Sequence, residues 1–206
     1  MDPVDSRESR GRKMLETELK YRLTNEEEMT RLEAVLGEPI ERLAQANRYW
    51  LPAAPAGVAL RVREVGGASE ATVKRAGPAP VDGLFVHEEE TERLDAGAAV
   101  ALLTGERPLE DLPLVTKTGL QGPFRYVGLL LTRRNVYRIA GLPVETDRVT
   151  CPDGTKEFEV EVEAIDADAL RGQLLALAAL AGVSLRPSKN TKLGRFLARE
   201  RSEGNC

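Results

Sequence analysis

Three charged residues at alternate positions, Glu16, Glu18 and Lys20, offer the first hint of chemistry in this chain. Side chains of an extended strand alternate between its faces, so these three share one side. Leu15, Thr17, Leu19 and Tyr21 take the other. Two carboxylates beside an ammonium can hold a hard cation and an anion together. Taken alone, the segment reads as the solvated face of a one-sided sheet.

Its company changes that reading. In-line acids recur at Glu145/Asp147 and at Glu157, Glu159, Glu161 and Glu163. In-line bases occur at Arg61/Arg63 and Lys74, and at Arg133 or Arg134. A solvated face usually mixes signs within a strand. Glutamates lined up on one face repel, unless cations lie close or water screens them. In a closed sheet, acids on one wall and bases on another would suit Mg²⁺ or Mn²⁺ bound to a polyphosphate. No Gly-x-Ser-x-Gly elbow is present, and Gly154-Thr155-Lys156 lacks the glycine spacing of a phosphate loop. The lone His87 excludes multi-histidine zinc sites and is read as a strand or loop residue. Water is then the expected attacker on phosphorus.

The elements that must position these groups follow from periodicity and turn residues. Extended segments are expected at Met14–Leu23, Ile40–Leu51, Leu84–Leu94, Leu114–Thr118, Tyr126–Ile139, Leu142–Val149 and Lys156–Ile165. A hairpin joins Leu60–Arg63 to Ala71–Lys74 through Gly66-Gly67. Thr24 is expected to cap a helix with Glu26, Glu27 and Glu28 in its first turn, ending at Gly37. Asp95–Thr104 has helical character, and Glu106–Pro113 reads as a turn or short helix. Asp166 is expected to cap a helix ending near Gly182, before a basic segment, Ser188–Arg201. The fold expected is α+β, a closed antiparallel β-barrel of about eight strands with helices packed outside.

Composition narrows the partners. The 206 residues suffice for a real core, and a net charge of −4 argues against nucleic-acid binding as the main role. The apolar runs are too short to span a bilayer, and the charged N-terminal stretch has no signal-peptide pattern, so a soluble cytoplasmic protein is expected. Cys151 and Cys206 make no disulfide framework. Residues 1–13 are expected to form a flexible arm and 14–201 a single domain.

Taken in order, these motifs resemble the CYTH family, the triphosphate tunnel metalloenzymes. The resemblance rests on Glu16-Thr17-Glu18-Leu19-Lys20, Asn47-Arg48-Tyr49-Trp50, Leu60-Arg61-Val62-Arg63, Thr72-Val73-Lys74, Arg134 with Tyr137, Glu145 with Asp147, Glu161-Val162-Glu163 and a late lysine. Each motif alone is weak, but the ordered set is specific and covers about residues 14–200. It implies an eight-stranded tunnel with Mg²⁺ or Mn²⁺ as cofactor, held by Glu16, Glu18, Asp147, Glu161 and Glu163, with Glu159 a weaker candidate. Lys20, Arg61, Arg63, Lys74 and Arg134 would bind the triphosphate and act in catalysis, with Tyr49 and Lys192 completing the substrate site. Lys192 fits the late lysine better than Lys189, because Asn190–Phe196 resembles the family's C-terminal helix. The implied activity is hydrolysis of the terminal phosphate of tripolyphosphate or thiamine triphosphate, by a monomer or homodimer. The alternatives are a class IV adenylate cyclase and a non-catalytic polyphosphate- or nucleotide-binding module. Two departures stand out: Leu51-Pro52-Ala53-Ala54 where many members have Asp-Thr-Pro, and Val86-His87-Glu88 where many have an arginine.

Overall fold

The computed structural model describes residues 13–163 and 167–203. The expected arm, apart from Lys13, and the Asp166 cap lie outside these residues. Nine strands form one sheet: β1 (Lys13–Leu23), β2 (Glu41–Leu51), β3 (Val58–Val65), β4 (Ala68–Ala76), β5 (Leu84–Leu94), β6 (Arg125–Ile139), β7 (Leu142–Thr150), β8 (Lys156–Glu163) and the short β9 (Arg186–Pro187). Neighbours run β5-β4-β3-β2-β6-β7-β8-β1-β9, all the pairs are antiparallel, and β1 also pairs with β5. That last pairing closes β1–β8 into an eight-stranded barrel.

β1 closes the barrel by dividing its length. Residues 13–19 pair with β5, residues 18–23 with β8, and β9 takes over beyond β5 at Tyr21 and Arg22. This stagger is the shear that a closed sheet requires. Gly83 makes the handover possible. Its carbonyl accepts from the Lys20 N–H at 2.8 Å, its φ is +82°, and a Cβ there would lie 2.5 Å from the Lys20 carbonyl oxygen. Only glycine combines that close approach with a positive φ.

The outward face of the barrel is apolar and is covered by helices. Leu19, Tyr21, Val144, Val160 and Val162 pack against α1 (Glu26–Leu36) and α4 (Ala167–Leu180) through Met29, Leu32, Leu170 and Leu174. Leu60, Val62 and Val73 pack beneath α2 (Ala96–Thr104), a 3₁₀ turn at Leu109–Asp111 and α3 (Pro113–Thr118). Fully burying one such aliphatic chain contributes about 1.5–3 kcal/mol, so this outer shell holds the barrel closed. The last helix, α5 (Lys192–Glu203), differs: Leu193 and Phe196 pack with Ala59, Leu130 and Val149, which face inward by strand register, so α5 caps one end of the tunnel.

Two local expectations are corrected. The N-cap of α1 is Asn25, not Thr24: Asn25 has the extended backbone of a cap, and its Oδ1 accepts from the Glu28 N–H at 2.9 Å. Thr24, one residue earlier, donates its backbone N–H to Glu28 Oε2 at 2.6 Å. Leu114–Thr118 is helical, not extended. Pro113 is preorganised for a first helical turn, and the Leu114 N–H is capped by Glu92 at 2.9 Å. Lys117 therefore lies outside the tunnel, paired with Glu90. Among the described residues no helix is long and apolar enough to cross a membrane.

Candidate active site

The barrel encloses a cavity of about 500 Å³. Glu16, Glu18, Lys20, Tyr49, Arg61, Arg63, Lys74, Arg134, Glu161, Glu163 and Lys192 all line it. Strand alternation delivers most of them and register sets their depth. Glu18 is opposite Glu163, Lys20 opposite Glu161, Glu145 opposite Glu161, and Asp147 opposite Glu159. Arg134 is the inward member of its pair, while Arg133 is exposed on the outer surface. Lys189 is exposed and does not line the cavity. Asp147 lies behind the lining, fully buried.

The acidic wall is already dense with cations. Arg134 makes a fork on Asp147, at 2.8 Å and 2.6 Å, and also reaches Glu161 at 2.7 Å and Glu145. Lys20 pairs with Glu161 and, at 2.9 Å, with Glu18. Lys74 bridges Glu16 at 3.0 Å, Glu18 at 3.4 Å and Glu89 at 2.6 Å. Asp147, Glu159 and Glu161 each offer an oxygen within 4.8 Å of the others. Lys192 Nζ touches all three, with Asp147 at 2.7 Å and Glu161 at 2.9 Å. This all-carboxylate group can coordinate a divalent metal ion, and oxygen ligands of this kind suit Mg²⁺ or Mn²⁺. Its attraction for positive charge is visible in the ammonium it holds.

Charge compensation is uneven. Burial pushes Asp147 and Glu161 up, but Lys192 and Arg134, joined by Lys20 at Glu161, override it and hold both below the usual carboxylate range. Burial likewise pushes Glu18 up, and Lys20 and Lys74 override it. Glu16 and Glu145 go the other way. Burial raises Glu16 to about 7 against Lys74, with Glu18 and Glu89 adding to the rise. It raises Glu145 to about 7 against Arg134, with Glu161 and Asp147 adding to it. These two carboxylates lack enough positive charge for their depth.

The basic wall is short of negative charge at Arg63 only: burial pushes Arg61 down, but Tyr49, Glu89 and Glu70 override it. Arg61 donates to Thr72 Oγ1 at 3.1 Å, its nearest acid is Glu70 at 3.6 Å, and its Nε is buried without a hydrogen-bond partner. Arg63 donates Nε to Asn47 at 2.8 Å, with Glu70 at 3.7 Å. Burial and the neighbouring Arg61 hold Arg63 below its ordinary pKa. Two adjacent guanidinium groups of this kind can serve as an anion site.

Sequence reasoning missed Glu70, Glu89 and His87 as cavity residues and left Glu145, an acid of the wall, out of the metal ligands. The alternation that found Arg61 and Arg63 puts His87, Glu89 and Thr91 on one face of β5 and in the cavity. The signal is masked because the other face carries Glu88, Glu90 and Glu92.

With this geometry in hand, the kinship is plain. The sequence profile of the CYTH domain matches residues 14–195, and the chain belongs to the CYTH family. No curated protein matches it. Among solved structures it is similar to a candidate adenylyl cyclase from Hippeastrum described as having a dominant triphosphatase activity. Identity is 22%, 89% of this chain and 95% of that one are covered, and the TM-score is 0.77. A candidate adenylate cyclase from Bacillus halodurans has 22% identity over 89% of this chain and 98% of its own, with a TM-score of 0.70. A candidate adenylate cyclase from Vibrio parahaemolyticus has 17% identity over 89% of this chain and 98% of its own, with a TM-score of 0.52. At such identities the likeness speaks to the fold.

Proposed function

We propose that this chain is a divalent-metal-dependent hydrolase that removes the terminal phosphate of a triphosphate compound, with tripolyphosphate or thiamine triphosphate as substrate. The observation that carries this reading is the uneven charge of the cavity. Arg61 keeps a buried Nε without an acceptor, Arg63 has Glu70 no closer than 3.7 Å, and Glu16 and Glu145 lack positive charge. An anion supplies what one wall lacks, and a cation supplies what the other lacks.

In this reading Glu16, Glu18, Asp147, Glu161 and Glu163 hold Mg²⁺ or Mn²⁺. The metal, when bound, neutralises phosphate charge and activates or orients water. Arg61 and Arg63 grip the phosphate oxygens with their planar forks. Lys20, Lys74, Arg134 and Lys192 are tied to carboxylates, so they reach phosphate by exchanging one anion for another. The water oxygen bonds to the terminal phosphorus, the bond to the bridging oxygen breaks, and the water's proton passes to solvent or to the departing oxygen. The products are orthophosphate and the shortened diphosphate. Tyr49 lines the cavity beside Leu51 and Leu197, an apolar side where the non-phosphate part of an organic substrate can rest. The triphosphatase activity of the Hippeastrum relative supports hydrolysis over cyclisation.

The test is a screen of tripolyphosphate, thiamine triphosphate and ATP with Mg²⁺ or Mn²⁺. The expected product is orthophosphate. Cyclic AMP with pyrophosphate would replace this reading with a cyclase, and tight binding without turnover would leave a binding module.

A further inference from the structure

Lys192 is the first residue of α5, and its ammonium stands among the three carboxylates whose oxygens lie within 4.8 Å of one another. It donates to Glu161 Oε1 at 2.9 Å, lies 2.7 Å from Asp147 Oδ2 and also contacts Glu159. Lys20 pairs with one of these three, Arg195 with one and Arg134 with two. Glu159 Oε1 is buried, makes no hydrogen bond and meets the ammonium as a charge. Burial pushes Lys192 down, but Asp147, Glu159 and Glu161 override it and hold it well above its ordinary pKa.

An ammonium so placed fills the position a metal ion would take. An ion bonded to the same oxygens at about 2.1 Å would stand against Nζ, and like charges in contact repel strongly in a buried site. The backbone of α5 is fixed by other contacts. Thr191 Oγ1 accepts from the Gly194 N–H at 3.1 Å, Arg195 reaches Glu157 and Glu159, and Leu193 and Phe196 are buried. The flexible four-carbon stem of Lys192 is the part left to move. We propose that Lys192 is a tethered stand-in for the divalent ion at Asp147, Glu159 and Glu161, and that the ion binds by displacing its ammonium into the cavity. Thr191 and Lys192 both line that cavity, so the freed ammonium meets the bound anion there. Metal and triphosphate are thereby coupled: the ion frees a cation for the anion, and the anion gives that cation a new partner. The inference rests on the metal reading given above, and the experiment separates the two.

Mn²⁺ is titrated into metal-free protein without any phosphate compound, and electron paramagnetic resonance reads the free ion. A tethered competitor acts at high effective concentration, so Lys192→Met binds Mn²⁺ at least about tenfold more tightly than the wild type. Lys20→Met is the control: it also removes a positive charge from Glu161, but not one that all three carboxylates share, and its gain is smaller. Circular dichroism verifies that the variants fold. A second measurement needs no variant. The wild type is treated with acetic anhydride, and mass spectrometry reads acetylation of Lys192 against the exposed Lys189. Saturating Mn²⁺ raises the labelling of Lys192 severalfold and leaves Lys189 unchanged; if Lys192→Met does not fold, this result decides alone. Saturable Mn²⁺ binding that Lys192→Met does not tighten, that Lys20→Met tightens equally, or that leaves Lys192 labelling unchanged overturns the inference, and the metal reading stands. No saturable Mn²⁺ binding to any folded form overturns both.

Discussion

The two ends of β8 use the same residue type for opposite purposes. At the end capped by α5, Glu157 and Glu159 are locked: Arg195 reaches both at 2.6 Å, and Arg199 reaches Glu157. Toward the other end, Glu161 meets Lys20, Arg134 and Lys192, and Glu163 is exposed to the cavity. Identical spacing thus gives a structural anchor at one end and, in the proposed reading, metal ligands at the other. What separates them is how α5 distributes its positive charge, with two arginines at the capped end and Lys192 at Glu161. At the capped end it comes from arginines of a helix that packs into place through Leu193 and Phe196. At the open end Glu16, Glu145 and Arg63 are under-compensated, and in the proposed reading metal and substrate complete them.

The comparison breaks most visibly at Arg195. Arg195→Ala removes one partner from each of two buried carboxylates, leaving Arg199 on Glu157 and Lys192 on Glu159, and the expected loss of stability is about 2–3 kcal/mol, read by chemical denaturation. An unchanged midpoint would mean that the capped end is no more locked than the open one. Arg63→Ala tests the other side. Arg63 is under-paired, so stability should change by less than about 1 kcal/mol, while triphosphate hydrolysis should fall about 10²–10³-fold. Equal losses of stability at both arginines would erase the distinction.

A finer test uses pH. The Glu145 carboxyl is raised to about 7 in the folded protein, so the folded state binds a proton more tightly than the unfolded chain does. Its contribution to stability is present below the unfolded value near 4.5 and is lost as pH rises through about 7. In metal-free protein, stability should decline between pH 5 and 8 by on the order of 1–3 kcal/mol, and Glu145→Gln should flatten that decline. A flat wild-type profile would show that the open end is already compensated.

Much of the architecture was legible in the primary structure, because the strand period of two sorts side chains onto faces without reference to distant residues. Alternation identified the inward rows Glu16/Glu18/Lys20, Arg61/Arg63 and Glu157–Glu163, and turn residues separated the strands. Short-range ambiguity explains the errors. Leu114–Thr118 is too brief for periodicity to tell helix from strand. His87 and Glu89 were hidden because β5 is polar on both faces.

By itself the sequence determined which residues travel together: the acids in line, the bases in line and the apolar backing that drives the sheet against its helices. Only the tertiary structure decided which of those charges are spent. Closure of β1 onto β5 brings Lys74 to Glu16, and α5 carries Lys192 and Arg195 to carboxylates far away along the chain. The physical reason is range. Face and spacing are local properties of the backbone, whereas neutralising a buried charge depends on whichever residue folding brings within a few ångströms.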